Sequence, residues 1–164
     1  MSGNLEQDRI DYAFARACRR SRNLARFKDI EVCLLSGKNT KNAGVTDMLI
    51  ESGVTVRLTN IERTLIDITV RPIYAGGVFS VLDAYREAYQ QVSINKLAAM
   101  LKSIGFIYPY HQSIGFYLER AGCYSKDQIK IIDRFEKNYD FYLTHQIKDK
   151  AYSDRWRLYY PKGL

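Results

Sequence analysis

Six basic residues and no acidic residue lie in the segment 16–28 of this 164-residue chain, and their chemistry suits phosphate. Guanidinium groups offer forked N–H donors that match phosphate oxygens, and Tyr12, just upstream, could stack on a nucleobase. A second interpretation stays open, in which these cations are only the solvated end of a helix, where the helix dipole favours positive charge. The candidate nucleic-acid- or phosphate-binding residues are Arg9, Arg16, Arg19, Arg20, Arg22, Arg26 and Lys28.

A second group of charged residues lies in one helical stretch near the middle of the chain. Arg63 and Asp67 are four residues apart, so they fall on one helix face and can form an ion pair. Glu62 and Arg63 could also tie this helix to a neighbouring sheet or to the turn at Gly76-Gly77, because partly buried charges are normally paired. A structural clamp is the first interpretation, and a surface that meets a partner is the second. The residues of this motif are Glu62, Arg63, Thr64, Asp67, Arg71, Gly76 and Gly77.

The end of the chain combines aromatic rings with arginine, and the chain as a whole contains 13 tyrosines. Aromatic rings with a polar tip suit half-buried surfaces, and aromatic residues beside arginine are typical anchors of protein interfaces. The sequence therefore predicts a partner interface here. Its candidate residues are Trp156, Arg157, Tyr159 and Tyr160.

No constellation in the sequence is typical of an enzyme. His111 and His145 are far apart and lack metal-ligand spacing, and no serine stands in a G-x-S-x-G motif. Asp29 and Glu31 could suggest a nuclease metal site, but Cys33 stands where such a site would carry a lysine. The sequence therefore predicts a protein that is not an enzyme and that holds no metal and no cofactor.

Composition indicates an ordinary globular chain with a bias towards anionic partners. The net charge is +7, with 46% hydrophobic and 26% charged residues. No apolar run approaches the ~20 residues of a membrane span, and the N-terminus lacks the apolar region of a signal peptide. Cys18, Cys33 and Cys123 are odd in number and widely spaced, which predicts buried free thiols. We expect a cytoplasmic protein with no membrane partner.

Strands and helices that would position these groups can be predicted from periodicity. The segments 24–27 and 30–36 predict a hairpin across Lys28-Asp29, with the second strand covered on both faces. Alternation over 54–59 predicts another strand, whereas 41–52 is interpreted as a loop or short helix, and Gly37 to Thr40 as a turn. The expected fold class is α+β, with a small antiparallel sheet packed against a mainly helical bundle.

Most of the predicted helices are marked by caps. Asn4 with Gln7 predicts a capping box for a helix over 4–18, and Asn60 caps the helix that carries the charged motif. Arg71-Pro72 ends that helix, because a residue before proline is pushed out of the helical region. Further helices are predicted after Gly76-Gly77, from Ser93 to Gly105, up to Gly122, and from a capping box of Ser125 and Gln128.

The last part of the chain changes character. Residues 140–144 and 155–160 predict short β-like segments, joined by a polar linker over 146–154. The helical part continues from the sheet without a linker of its own, so one domain is expected over 1–164. Within it we expect a helix and small sheet over 1–59, a helical part over 60–138 and a C-terminal extension over 139–164.

Two blocks of the sequence resemble one family. The run LTNIERTLID at 58–67, followed by Arg71-Pro72 and Gly76-Gly77, resembles the C-terminal domain of the AbiEi-type antitoxins. The run YHQSIGFYLERAG at 110–122 is similar to a later block of the same family. Family members usually begin with a winged helix-turn-helix that binds operator DNA, and no such pattern precedes Arg9.

The resemblance implies an antitoxin or regulatory module of a type IV toxin–antitoxin or phage-defence system. Such a module neutralises a nucleotidyltransferase-type toxin, without the need for a stable complex, and operator DNA is a further candidate partner in transcriptional regulation. The charged motif at 62–67 would then be either a clamp or a surface for the toxin. The alternative is a protein-interaction subunit of a larger defence complex that has no DNA binding of its own and uses the C-terminal aromatic residues.

Overall fold

The structure is a computed structural model that describes residues 5–36 and 40–164, and its α+β class confirms the prediction. The described residues form six α-helices, one short 3-10 helix and seven strands. In chain order these are α1 (Gln7–Phe14), β1 (Leu24–Phe27), β2 (Ile30–Cys33), β3 (Val45–Leu49), β4 (Thr55–Thr59), α2 (Ile61–Val70), the 3-10 helix (Pro72–Tyr74), α3 (Val78–Glu87), α4 (Ile94–Ile104), α5 (Tyr110–Ala121), α6 (Lys126–Asp133), β5 (Phe141–Tyr142), β6 (Lys150–Ser153) and β7 (Leu158–Pro161). None of the helices in these ranges is long and apolar enough to span a bilayer.

Helices α2, α4 and α6 begin where the capping residues predict. The side chains of Asn60 and Ser93 accept from the first turns of α2 and α4, and Ser125 with Gln128 forms a reciprocal capping box at α6. Gly105 and Gly122 end α4 and α5 in the left-handed conformation that suits glycine. Caps therefore set the bounds of this helical body.

Helix α5 lies at the centre of the core, because it is buried on every side. Residues 112–118 are all buried, including Gln112 and Ser113. Gly115 lets the ring of Trp156 lie directly on the helix backbone, since a Cβ at this position would overlap the ring. The Trp156 indole N–H donates to Glu119, one turn further along α5. A contact between distant parts of the chain thus joins the C-terminal segment to the helical body.

The strands form three small sheets, so the prediction of one antiparallel sheet in the first part of the chain is wrong. β1 pairs with β2, and β3 with β4, as two separate antiparallel hairpins. Strand β3 lies within 41–52, where a loop or short helix was expected. The alternation of polar and apolar residues in β3 is weak, so the strand is stabilised mainly by its pairing with β4. This pairing runs from Val45 opposite Thr59 to Leu49 opposite Thr55.

The hairpin of β1 and β2 has the predicted turn but not the predicted burial. Phe27 and Ile30 face each other across the strands and are 68% and 63% exposed, and Val32 on the same face is 45% exposed. The prediction of a strand covered on both faces is therefore wrong. An apolar run indicates burial only if another element packs against it, and within the described residues none covers this face. The predicted turn at 37–39 lies outside the described residues.

The segment 139–164 is integrated into the fold. Strands β5, β7 and β6 form a mixed sheet, with β5 parallel and β6 antiparallel to β7. Strand β6 lies in the stretch that was interpreted as a polar linker, and 154–157 is a turn instead of part of the last strand. Arg157 there has a φ of 47°, which ends extended backbone until Leu158 begins β7.

The first helix packs against this C-terminal segment. The Gln7 side chain exchanges hydrogen bonds with the backbone of Asp140, and the Tyr139 hydroxyl donates to the Leu5 carbonyl. Helix α1 spans only Gln7–Phe14, with Glu6 at its N-cap, so the expectation of a helix over 4–18 is too long. The predicted cap Asn4 lies outside the described residues. The described residues at the start of the chain are therefore hydrogen-bonded to the C-terminal segment.

The notch at Gly115 gives a test of the packing. Substituting Gly115→Ala should destabilise the protein by about 1–3 kcal/mol, because the methyl group would displace the Trp156 ring. At an open helix site the same change stabilises by about 1 kcal/mol. The free energy of unfolding can be measured by urea titration, followed by the fluorescence of the single tryptophan. Ser103→Ala on the exposed face of α4 is the control; a Gly115→Ala protein as stable as this control would refute the packing.

The Asp140 carboxylate gives a test by pH. The Arg157 guanidinium donates to it and holds its pKa below the usual range, despite an opposing effect of burial. Because the pKa is lower in the folded state, the ionised carboxylate stabilises the fold at pH values above its unfolded pKa of ~3.9. This stabilisation is lost as the pH falls through the folded-state pKa. Asp140→Asn should therefore lose less stability than the wild type below about pH 4 in acid titrations. Asp127→Asn, at an exposed carboxylate, should follow the wild type.

Candidate functional site

The basic segment, residues 16–28, lies on the surface of the described structure. Its six cations are all exposed, and none forms an ion pair with another residue in the ranges 5–36 and 40–164. Helix α1 ends at Phe14 with no basic residue in its last turn, so a helix dipole does not explain the charge. Only Arg16 is next to that helix end, so the helix-end interpretation does not extend to 19–28, although all six cations are solvated as that interpretation expects.

Helix α1 extends this cationic surface. Arg9 and Tyr12 lie about one turn apart on α1, Arg16 follows two residues after the end of the helix, and all three are exposed. The Arg16 guanidinium lies 3.8 Å from the centroid of the Tyr12 ring. This cation–π contact holds the arginine beside an aromatic face. The arrangement can offer a phosphate contact and a stacking surface together.

The middle of the basic segment is held in place by hydrogen bonds at Ser21. Its backbone N–H donates to the Tyr74 hydroxyl, and its side chain donates to the Leu34 carbonyl at 2.8 Å. Arg19, Arg20 and Arg22 flank this anchor and line a shallow depression. Because the backbone is anchored, the arginine side chains project from a fixed support. Arg26 and Lys28 continue the charge onto the β1–β2 hairpin.

The charged motif of α2 forms a structural clamp. Arg63 is 6% exposed; its Nε donates to Asp67 at 2.9 Å, and its Nη1 donates to the Ala43 carbonyl at 2.8 Å. Glu62 is 5% exposed and accepts the backbone N–H of Ser93 at 2.9 Å. The predicted ion pair of Arg63 with Asp67 is confirmed. The helix is tied to the loop before β3 on one side and to the cap of α4 on the other.

The remaining residues of the motif also have structural roles that involve the backbone. Thr64 donates to the Asn60 carbonyl in the first turn of α2. Gly76 and Gly77 have φ values of 81° and 96°, which supports the predicted glycine turn before α3. Arg71 follows the last residue of α2, and its Nη2 donates to the Ser36 carbonyl. Arg71 has no carboxylate partner among the described residues.

The prediction of Trp156 as an interface anchor is wrong. Trp156 is 0% exposed, because its ring fills the Gly115 notch and its indole N–H has Glu119 as an acceptor. Arg157 is bound to Asp140. Tyr159 and Tyr160, the other candidates, are half-buried and pack against the rings of Tyr142, Tyr152 and Phe116. Aromatic residues beside arginine are as typical of a fully bonded core as of an interface, and the sequence pattern does not separate the two.

The described residues contain no cluster of histidine, cysteine or carboxylate side chains that could hold a metal ion. The His111 ring donates to the Glu136 carbonyl and stacks on Phe135, and burial lowers its pKa below the usual value. His145 stacks on Phe14. The three cysteines are free, as predicted, although each is half-buried instead of fully buried. Both histidines thus have packing partners.

Sequence reasoning missed a cavity of about 630 Å³ beside the clamp. Its lining includes Arg63, Asp67 and Arg71 from the charged motif, together with Tyr74 and Tyr110. These residues come from separate segments of the chain, so no local sequence pattern predicts the cavity. The only advance signal was the concentration of charged residues around α2.

Comparisons of this chain with protein-family models, with curated proteins and with solved structures give no match. The resemblance to the AbiEi-type antitoxins therefore stays a prediction that depends on the two sequence blocks alone.

The clamp can be tested by removing Glu62. Glu62→Ala should lower the free energy of unfolding by about 1–3 kcal/mol, because the Ser93 N–H loses its buried acceptor. Glu62→Gln keeps an acceptor oxygen and should retain most of the stability. The exposed Glu87 at the end of α3 provides the matched control, Glu87→Ala. If urea titration gave the same free energy for Glu62→Ala and Glu87→Ala, the clamp would not be a stabilising element.

Proposed function

We propose that this chain is a binding module without catalysis of its own, which acts as an antitoxin or regulatory component of the AbiEi type. The observation that carries the proposal is the basic segment: six exposed cations with no ion pair among the described residues, on a backbone anchored at Ser21. Unpaired surface cations on a fixed support favour an anionic macromolecule, and nucleic acid presents the densest array of such charge. The AbiEi-like blocks supply the biological setting as a resemblance.

The mechanism follows from the distribution of charge. Arginines at 16, 19, 20 and 22 would contact phosphates and release counterions, so affinity for nucleic acid should fall steeply with salt. Tyr12, already stacked on Arg16, would contact a base or ribose. Such contacts position the protein without reading a sequence, so operator specificity would come from a separate DNA-binding element. In the antitoxin role, the same surface would withhold a nucleic-acid substrate from a nucleotidyltransferase-type toxin or assist repression of the operon.

Charge reversal tests the proposal. The triple variant Arg19→Glu, Arg20→Glu and Arg22→Glu should weaken binding to a labelled DNA or RNA duplex by at least about tenfold. It should also reduce the slope of log affinity against log salt by about 3, because three phosphate contacts are lost. Fluorescence anisotropy over a salt series measures both quantities.

A matched control separates local contacts from net charge. Lys126, Lys148 and Lys162 are exposed and have no ion pair with described residues, so reversing all three lowers the net charge equally. This control should bind nucleic acid nearly as the wild type does at about 0.15 M salt. Equal losses in the two triple variants would contradict a dedicated binding segment.

The antitoxin role needs a cellular readout. Co-expression with a nucleotidyltransferase-type toxin of the AbiE class should restore growth with the wild type and with the lysine control, but not with the arginine triple variant. If the toxin stayed toxic at full expression of this chain, the antitoxin role would be refuted. Nucleic-acid binding is tested separately by the anisotropy measurements.

A second candidate function is a protein-interaction subunit, and one observation favours it. The β1–β2 hairpin exposes a continuous apolar face that includes Phe27, Ile30 and Val32. An isolated two-stranded hairpin with such a face is marginal in water and gains stability when a partner covers it. In that case Phe27→Ser with Ile30→Ser should abolish a toxin complex in size-exclusion chromatography, and the arginine triple variant should keep it.

A further inference from the structure

The cavity beside the clamp has apolar walls. It lies between the end of α2, the 3-10 helix at Pro72–Tyr74 and the linker from α4 to α5. Ile68, Ile104 and Phe106 line it, and Ile107 stands at its rim with 74% of its surface exposed. Its volume of about 630 Å³ falls within the range of small-molecule pockets, roughly 300–1,000 Å³. It is therefore large enough to enclose a ring system and a charged group.

One cation in this cavity, Arg71, has no counter-charge among the described residues. The half-buried Arg71 donates once, from Nη2 to the Ser36 carbonyl at 2.8 Å, and pairs with no carboxylate among the described residues. Asp67, the carboxylate of the lining, already accepts from Arg63 through both oxygens. A partly desolvated guanidinium normally has an anionic partner, so Arg71 retains donors for one.

Two tyrosines add neutral donors beside Arg71. The hydroxyls of Tyr108 and Tyr110 form no hydrogen bond with any residue in the described ranges, although both side chains line the cavity. Burial raises the pKa of Tyr110, with a smaller contribution from Tyr108, while the nearby Arg71 opposes the rise. The Tyr110 phenol therefore stays protonated and can donate to an oxyanion near Arg71.

We propose that this cavity binds a small organic anion, with one carboxylate or phosphate at Arg71 and a planar apolar body between the aliphatic and aromatic walls. The rings of Tyr74, Phe106 and Tyr108 supply flat surfaces for stacking. An aromatic carboxylate and a nucleoside monophosphate both combine an anionic group with a planar ring system. Binding experiments with one probe of each class distinguish between them. None of the arginines of the basic segment lines the cavity, so this proposal and the nucleic-acid proposal depend on different residues.

The position of the cavity links it to the basic segment. Tyr74 lines the cavity and also accepts the Ser21 N–H that anchors this segment. Arg71 likewise holds the Ser36 carbonyl, beyond the end of β2. A ligand at Arg71 would therefore contact the residues that fix the basic segment and its hairpin.

Isothermal titration with four probes tests the site. Indole-3-acetate represents the aromatic carboxylate, indole-3-acetamide is its neutral match, AMP represents the nucleotide, and inorganic phosphate lacks the planar body. We expect one-to-one binding of indole-3-acetate or AMP, with the amide and phosphate each weaker by about tenfold or more. Whichever of the two anions binds more tightly identifies the source. The absence of binding by both, or an amide as tight as the acid, would overturn the proposal.

Two substitutions assign any binding to the cavity. Arg71→Gln keeps a donor for the Ser36 carbonyl but removes the charge, and should weaken the bound anion by about tenfold or more. Ile107→Glu puts a negative charge at the exposed rim and should also weaken it, whereas the neutral Ile107→Gln should not. Unchanged binding in Arg71→Gln would refute the site.

The arginine triple variant separates the two proposals. It should bind the anion as the wild type does, because its substitutions lie outside the cavity. If it lost AMP together with nucleic acid while Arg71→Gln retained both, the cavity proposal would fail and the basic segment would account for all anion binding.

Discussion

The contact between Gly115 and Trp156 is the constraint on which the rest of the fold depends. A helix buried on all sides needs internal partners for its polar side chains. In α5 some of these partners come from the C-terminal segment, although the Gln112 Oε1 atom and the Tyr117 hydroxyl have no hydrogen-bond partner among the described residues. Gln112 donates to the carbonyls of Tyr139, Trp156 and Arg157, and Glu119 accepts the indole N–H. A side chain at 115 would separate the two layers and leave these groups unsatisfied. The central helix can be polar and buried only because its partner approaches its backbone.

The parts of the fold that could be predicted are those fixed by local chemistry. The starts of α2, α4 and α6 could be predicted because each has a capping residue whose hydrogen bond lies within the first turn of the helix. These residues are Asn60, Ser93 and Ser125. Strands β3 and β6 escaped prediction because their pairing partners, not their own periodicity, make them strands. The docking of α1 on the C-terminal segment also depends on contacts between residues more than 130 positions apart, such as Gln7 with Asp140.

The candidate site divides in the same way. The pair of Arg63 and Asp67 is one helical turn apart and was predictable, and so was the cationic character of 16–28, which is a matter of composition. Trp156 was misassigned because side-chain type reports what a residue can contact and not what covers it. The cavity could not be foreseen, since its walls come from α2, the 3-10 helix and the linker after α4.

The arginines around the C-terminal sheet differ from those of the basic segment in whether they have partners within the fold. Arg155 and Arg157 pair with carboxylates, and Arg120 donates to the Leu164 carbonyl, so the arginines around the C-terminal sheet are used for folding. The arginines of the basic segment and Arg71 form no ion pair with described residues, and they lie around elements that expose apolar faces. An unpaired charge costs little while water hydrates it, whereas exposed apolar surface is unfavourable in water and is stabilised when another surface covers it. Both features occur together in the first half of the chain, whereas Arg120, Arg155 and Arg157 in the second half all have partners within the fold.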